Sequence, residues 1–172
     1  MNRHTAQNVA RTGMLLALAL ALSYLESIVT PLLGLMPAMK LGLSNLVVMY
    51  ALLFVRRRTA AALVLLKALF ALLTRGATAG FLSLCGGALS FLVLLALSCL
   101  PGISGYIFCV SGALAHNIGQ LAGAAVLLSS AMALGYAPVL LVAGLAVGSV
   151  SCILSKALYR ALPGAGESRV HF

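Results

Sequence analysis

Few side chains in this sequence could bind a charged ligand, and four of them lie in or beside apolar segments. Glu26 is one of only two acidic residues, and the cations that it could face are Lys40, Lys67 and Arg75. One carboxylate facing up to three cations would leave unbalanced positive charge at low dielectric until an anion entered. The pattern therefore predicts a site for a small anionic, zwitterionic or amphipathic solute, without a catalytic constellation.

Uncharged polar residues extend this set. His116, Asn117 and Gln120 are spaced three and four apart, so they share one helical face. They could hydrogen-bond neighbouring helices or line a ligand cavity, and we favour the cavity. No second histidine stands at ligand spacing, so neither a metal nor another cofactor is expected. The predicted substrate-binding residues are Glu26, Lys40, Ser44, Asn45, Lys67, Arg75, His116, Asn117 and Gln120.

The composition places these residues in a membrane protein. Of the 172 residues, 63% are hydrophobic and 8% are charged, against about 25% charged in a typical soluble domain. The net charge of +9 does not indicate nucleic-acid binding, because the cations cluster at the ends of apolar stretches. A phosphate-binding loop of the GxxxxGK[ST] type is missing from the sequence, and two glutamates cannot build a magnesium-diphosphate site.

Apolar stretches recur along the chain and predict an all-α, polytopic protein with six transmembrane helices. A single transmembrane domain over residues 1–172 would have about residues 12–160 embedded and short tails at both ends. Proline and glycine separate the stretches. The predicted spans are 12–30, 40–55, 59–74, 80–100, 105–130 and 137–158.

Basic residues predict the orientation of this domain. They form three clusters: Arg3 with Arg11, residues 56–58, and Lys156 with Arg160 and Arg169. With six spans, all three clusters fall on one side, which the positive-inside rule assigns to the cytoplasm. Both termini are then cytoplasmic, in a multi-pass protein of a bacterial inner or plasma membrane. Lys40 and Arg75 lie on the outer side.

The depth of the charged residues favours their binding role. Ser23, Glu26, Ser27 and Thr30 share one face of span one, which we expect to point into the bundle. Lys67 lies about 12 Å into span three, where a lysine needs a partner or a wet cavity. Alternatively, Glu26 and Arg75 are ordinary residues of the membrane–water interface. Lys40 and Arg56 would be about 24 Å apart along a helix, near opposite faces of the membrane. The side chain of Lys40 could then simply extend to the outer headgroups.

Small residues recur at a spacing of four on three spans, where they let helix backbones approach closely. The stripe of Gly13, Ala17 and Ala21 lies on span one. For residues 119 and 123 on span five, and 144, 148 and 152 on span six, internal packing is the favoured interpretation. The four cysteines are interpreted as apolar packing residues.

Three motifs carry a family resemblance over roughly residues 12–160. They are 40–45 (KLGLSN) with Glu26 upstream, 82–90 (LSLCGGALS) and 111–120 (SGALAHNIGQ). Together they resemble the Gx transporter family, which is also catalogued as heptaprenyl diphosphate synthase component I. The third motif is similar to the AHNxGQ signature of that family. The family more often has arginine at Lys67 and alanine at Ser44, so ligand geometry could differ.

The family is similar to the substrate-binding S components of energy-coupling factor transporters. That resemblance implies six helices, a ligand captured from the outer side, and separate cytoplasmic ATPases. It also implies docking onto a membrane scaffold subunit through the stripe of Gly13, Ala17 and Ala21. Two alternatives stay open: a non-catalytic accessory subunit of heptaprenyl diphosphate synthase, and a membrane anchor of a redox complex.

Overall fold

The protein is all-α, as the sequence predicts. The computed structural model describes residues 3–32, 42–100, 102–127 and 130–161. Alanine and leucine, both strong helix formers, dominate these segments. The described residues form six helices: α1 (Arg3–Leu32), α2 (Asn45–Phe54), α3 (Arg57–Arg75), α4 (Ala77–Leu97), α5 (Gly105–Leu127) and α6 (Ser130–Ala161).

The second helix differs most from its predicted span. α2 has ten residues, which is about 15 Å of helix and half the thickness of a bilayer core. The predicted start of span 40–55 was wrong, because residues 42–44 form a turn before α2 begins. Lys40 itself lies outside the described residues.

The first and last helices, α1 and α6, are longer than predicted. α1 begins at Arg3 and includes Pro31, where we expected it to stop. α6 begins at Ser130, ahead of the predicted start at residue 137, and includes Pro138. Hydropathy marks the membrane-embedded core of each helix, whereas backbone hydrogen bonding continues beyond that core.

Three of the described helices contain segments long and apolar enough to cross a membrane: Val9–Val29, Ala77–Leu97 and Ala137–Leu154. α3 carries four cations, and the trio of His116, Asn117 and Gln120 lowers the hydropathy of α5. Six spans and cytoplasmic termini therefore stay predictions.

The short α2 lies at the centre of the bundle. It contacts α1, α3, α4 and α5, while α3 to α6 pack each against the next helix in the chain. Val47, Val48 and Met49 of α2 are at most 1% exposed and join the main apolar core with Leu63 and Phe108. The turn that precedes α2 is consequently enclosed by the longer helices.

The exterior of the bundle is apolar, and charged side chains lie inside it beside the apolar core. Met14, Leu73 and Val126 are each more than three-quarters exposed, whereas Glu26 and Lys67 are at most 1% exposed. Apolar side chains outside and charged side chains inside suit lipid as the surrounding solvent. The arrangement supports membrane association.

Glycines bring α4, α5 and α6 close together, in agreement with the packing interpretation for spans five and six. A Cβ on Gly119 would lie 2.6 Å from the carbonyl oxygen of Cys85 on α4. A Cβ on Gly148 would lie 2.7 Å from the Cα of Val110 on α5. These approaches set α5 firmly between its two neighbours.

Candidate ligand-binding site

Glu26 on α1 binds the backbone turn at residues 42–44, which we call the 42–44 turn. Its carboxylate accepts hydrogen bonds from the backbone N–H groups of Gly42, of Leu43 at 2.7 Å and of Ser44 at 3.5 Å. Glu26 is fully buried. The expectation that it faces into the bundle agrees with this burial, and its interaction is with main-chain donors at the start of α2.

The neighbours of Glu26 on the predicted polar face differ in burial. Ser23, one turn earlier, is 5% exposed. The hydroxyl of Ser27 donates to the carbonyl of Tyr24 within its own helix, at 2.6 Å. The side chain of Thr30 lies outside the described part of the chain. The polar face of α1 thus enters the bundle at Ser23 and Glu26.

A glycine is required within the 42–44 turn. Gly42 has a φ of +102°, a conformation that side chains disfavour. A Cβ at this position would also lie 3.2 Å from Cδ2 of His116 and 3.6 Å from Oδ1 of Asn117. The turn therefore rests directly against α5, at two residues of the polar trio.

Two cations accompany Glu26. Lys67 is 1% exposed, and its Nζ donates to Oγ of Ser44 at 3.2 Å. Glu26 interacts electrostatically with both Lys67 and Arg75, and Arg75 is only partly buried near the end of α3. The structure thus brings four predicted site residues, Glu26, Ser44, Lys67 and Arg75, into one electrostatic group.

Asn45 begins α2 and connects it to α4 and α5. Its Nδ2 donates to Oγ of Ser90 at 2.7 Å and to the carbonyl of Gly112 at 3.4 Å. The Ser90 hydroxyl donates to the same carbonyl at 2.7 Å. Asn45 and Ser90 are both buried. These bonds fix α2 between its neighbours, and Ser90 was missed as a site residue although it belongs to the motif at 82–90.

His116 and Gln120 form a pair on α5. Nε2 of His116 and Nε2 of Gln120 are 2.8 Å apart, and both side chains are 1% exposed. The pair packs on Gly86 of α4, where a Cβ would lie 2.8 Å from Cγ of Gln120 and 2.9 Å from Cε1 of His116. His116 and Gln120 therefore fit against α4 because residue 86 is a glycine.

Asn117 joins α5 to α6. Its Nδ2 donates to the carbonyl of Leu140 at 2.6 Å, and the residue is 1% exposed. This bond fixes the orientation of the amide, because a flipped amide would place its oxygen against the carbonyl. Oδ1 of Asn117 therefore points away from Leu140, and it lies beside Gly42.

Three buried oxygens have no hydrogen-bond partner among the described residues: Oδ1 of Asn45, Oδ1 of Asn117 and Oγ of Ser83. Buried polar atoms are nearly always satisfied in stable proteins, and one left without a partner needs an explanation such as a ligand or a water. Ser83, on α4, was missed as a site residue although it too belongs to the motif at 82–90. These three oxygens could therefore form hydrogen bonds with a bound molecule.

Several of the predicted site residues lie around the chain's own 42–44 turn. Glu26, Lys67, His116 and Asn117 approach it from three helices, while Asn45 continues it into α2. A separate groove on α6 is apolar, lined by Pro138, Val139, Val142, Ala143 and Ala146. A ligand-binding role for the polar residues stays a prediction.

The predicted docking stripe faces away from the other described helices. Gly13, Ala17 and Ala21 are exposed, whereas Leu15 and Ala19 on the other side of α1 are buried. A Cβ on Gly13 would meet no atom of the described residues within 4 Å. The described residues therefore leave the stripe uncovered.

Comparison with protein families gives one assignment. The model of the family described as heptaprenyl diphosphate synthase component I matches residues 15–158, and the chain belongs to that family. The searches of curated proteins and of solved structures found no significant match. The similarity to S components consequently stays a prediction.

Proposed function

We propose that this chain is a non-catalytic membrane subunit of a heptaprenyl diphosphate synthase and that the chemistry belongs to a separate partner. The family description, component I of a synthase, supports a multi-component assembly. The observation that carries the proposal is that the carboxylate of Glu26 already binds the backbone of this chain. Glu26 is the sole acid within the matched residues 15–158, and its carboxylate is engaged by backbone N–H groups.

The chemistry of prenyl transfer favours a catalytic partner. Diphosphate substrates are usually bound through magnesium, which needs oxygen ligands such as carboxylates. A catalytic subunit outside the bilayer would supply them. The product carries a long apolar chain, which leaves water for the bilayer. A multi-pass subunit in the cell membrane would hold the catalytic partner where its product is released.

Affinity purification of the tagged chain from native membranes tests this function. The expected result is a soluble prenyl diphosphate synthase that co-purifies in a fixed ratio, with product formation that increases when both are reconstituted in vesicles. Recovery of redox proteins alone would contradict the proposal and favour a membrane anchor of a redox complex.

A second candidate function is supported by the exposed stripe on α1 and by the buried polar group. In this case the chain is the substrate-binding subunit of an energy-coupling factor type uptake transporter. It would capture a small anionic or amphipathic solute from the outer side through the predicted site residues. The stripe of Gly13, Ala17 and Ala21 would dock onto a membrane scaffold that carries cytoplasmic ATPases.

The same purification separates the two candidates. A membrane scaffold with two ATPases would support the uptake function, and a soluble synthase would support the accessory function. A stripe variant adds a control, because substitution of an exposed alanine leaves the fold of the chain intact while it blocks close helix packing.

A further inference from the structure

We propose that the 42–44 turn is an oxyanion-binding site that Glu26 occupies in this structure. The ligand that replaces Glu26 is a phosphate-type group that retains a hydroxyl. This inference deepens the ligand-binding role given under the second candidate function and rests on that role. It rests on one observation: the backbone N–H groups of the 42–44 turn lie beside a buried acceptor, Oδ1 of Asn117.

The donors of the site are three successive backbone N–H groups. Those of Gly42, Leu43 and Ser44 all point to the same carboxylate, that of Glu26. Successive N–H groups at the start of a helix form a concave site that favours anions. Glu26 reaches it from a different helix, so the site can be vacated without unfolding the turn.

The charges around the turn favour a second anion. The described charged groups there are Glu26, Lys67 and Arg75, which sum to one positive charge when all are ionised. Lys67 reaches the turn through the hydroxyl of Ser44, at 3.2 Å. An incoming oxyanion would replace Glu26 as the acceptor of the N–H groups and would add negative charge beside two cations.

Asn117 determines the kind of oxyanion. Its Oδ1 is buried, lies 3.6 Å from the Cβ position of Gly42 and has no partner in the part of the chain that the structure describes. An amide oxygen accepts hydrogen bonds and repels an anion that has no proton. Hydrogen phosphate and phosphate monoesters below their second pKa offer both oxygens for the N–H groups and a hydroxyl for Asn117. Sulfate and carboxylates lack that hydroxyl at neutral pH.

Thermal unfolding in detergent tests the inference, with a thiol-reactive dye that reports exposure of the buried Cys109 and Cys152. The probes are sodium phosphate, sulfate and chloride at pH 6.5 and matched ionic strength. We expect phosphate to raise Tm more than sulfate or chloride. In Glu26→Gln the response to phosphate should occur at about tenfold lower concentration, because the competing charge is gone.

Two variants assign the selectivity. Asn117→Ala should reduce the preference for phosphate over sulfate about tenfold, since one hydrogen bond to a charged ligand is lost. Ser83→Ala, which also removes a buried oxygen without a described partner, should leave that preference unchanged. A preference retained in Asn117→Ala would overturn the assignment of Asn117.

A second measurement does not depend on the stability of the variants. Equilibrium dialysis of the wild-type protein with radiolabelled phosphate should show saturable binding that excess phosphate displaces and excess sulfate does not. Butyl phosphate binding more tightly would identify the head group of an amphipathic ligand, and inorganic phosphate binding more tightly would identify the free ion. Equal and non-saturable responses to all anions would overturn the inference, while the co-purified partner would still decide the proposed function.

Discussion

The carboxylate of Glu26 on α1 accepts a hydrogen bond from the backbone N–H of Leu43 at 2.7 Å, in the turn that leads into α2. The bond joins residues 17 positions apart and is part of a set that includes Gly42 and Ser44. A side chain that looks like a ligand-binding carboxylate in the sequence thus stabilises the start of the central helix. Substitution can separate this structural role from the proposed ligand-binding role.

Glu26→Ala should destabilise the protein by about 3–5 kcal/mol, because it leaves buried N–H groups without their acceptor and removes the negative charge that balances Lys67. Glu26→Gln, which retains one oxygen acceptor, should cost less. The measurement is reversible unfolding in detergent. Ser27→Ala is the control, since its hydroxyl bonds only within α1 among the described contacts. An equal loss in Ser27→Ala would contradict this account.

Lys67 and Glu26 should be energetically coupled. Lys67→Met alone leaves the buried carboxylate with one fewer neighbouring cation, whereas Lys67→Met with Glu26→Gln removes both charges. We expect the double variant to be more stable than the sum of the single effects predicts, by about 1–3 kcal/mol. A double-mutant cycle on free energies of unfolding measures the coupling. Additive effects would show that the two charges do not interact.

Two glycines offer a matched comparison of packing. Gly86→Ala places a methyl group 2.7 Å from the carbonyl oxygen of His116 and should destabilise the protein by about 1–3 kcal/mol. Gly13→Ala meets no described atom within 4 Å and should be neutral or stabilising by up to about 1 kcal/mol. Unfolding of both variants under one set of conditions checks the difference. A reversed order would show that α4 and α5 are not packed through Gly86.

The exposed stripe on α1 should serve as a docking surface. Ala17→Leu enlarges an exposed side chain, so the Tm of the purified subunit should change little. If a partner helix packs closely there, its recovery in affinity purification should fall about tenfold or more. Leu18→Ala, at an exposed residue beside the stripe, is the control. Full recovery with Ala17→Leu would show that the partner binds elsewhere.

The predicted orientation places the turn after α4 in the cytoplasm. Cys99 lies in this turn and is exposed, whereas Cys109 and Cys152 are buried. A membrane-impermeant maleimide should therefore label Cys99 in inverted vesicles and leave it unlabelled in intact cells. Ala77→Cys in a Cys99→Ala background, at the opposite end of α4, should give the reverse result. Labelling of Cys99 from outside would invert the topology.

The burial of Glu26 and Lys67 was the expectation that their residue types favoured. Placing Glu26 or Lys67 against lipid is costly, so a chain this apolar must turn both inward, and both are buried. The polar trio on α5 follows from helical spacing for the same reason. Ser83 and Ser90 could not be identified in this way, because a membrane helix tolerates a serine facing either lipid or protein.

The partners of these residues could not be predicted. Asn117 binds a carbonyl 23 residues away, and Glu26 binds a turn at 16 to 18 residues' distance. Such contacts depend on how the helices are arranged about one another. In uniformly apolar sequence, hydropathy carries little information about that arrangement.

The amino-acid sequence by itself determined that the chain is helical, apolar outside and polar within, since the costs of burying charge and exposing apolar surface to water act residue by residue. Only the tertiary structure decided that α2 is short and central, and that the polar side chains meet at the 42–44 turn. The reason is that the positive φ of Gly42 and the three N–H groups of the turn serve a contact with Glu26, which lies on another helix and comes close only when the chain has folded.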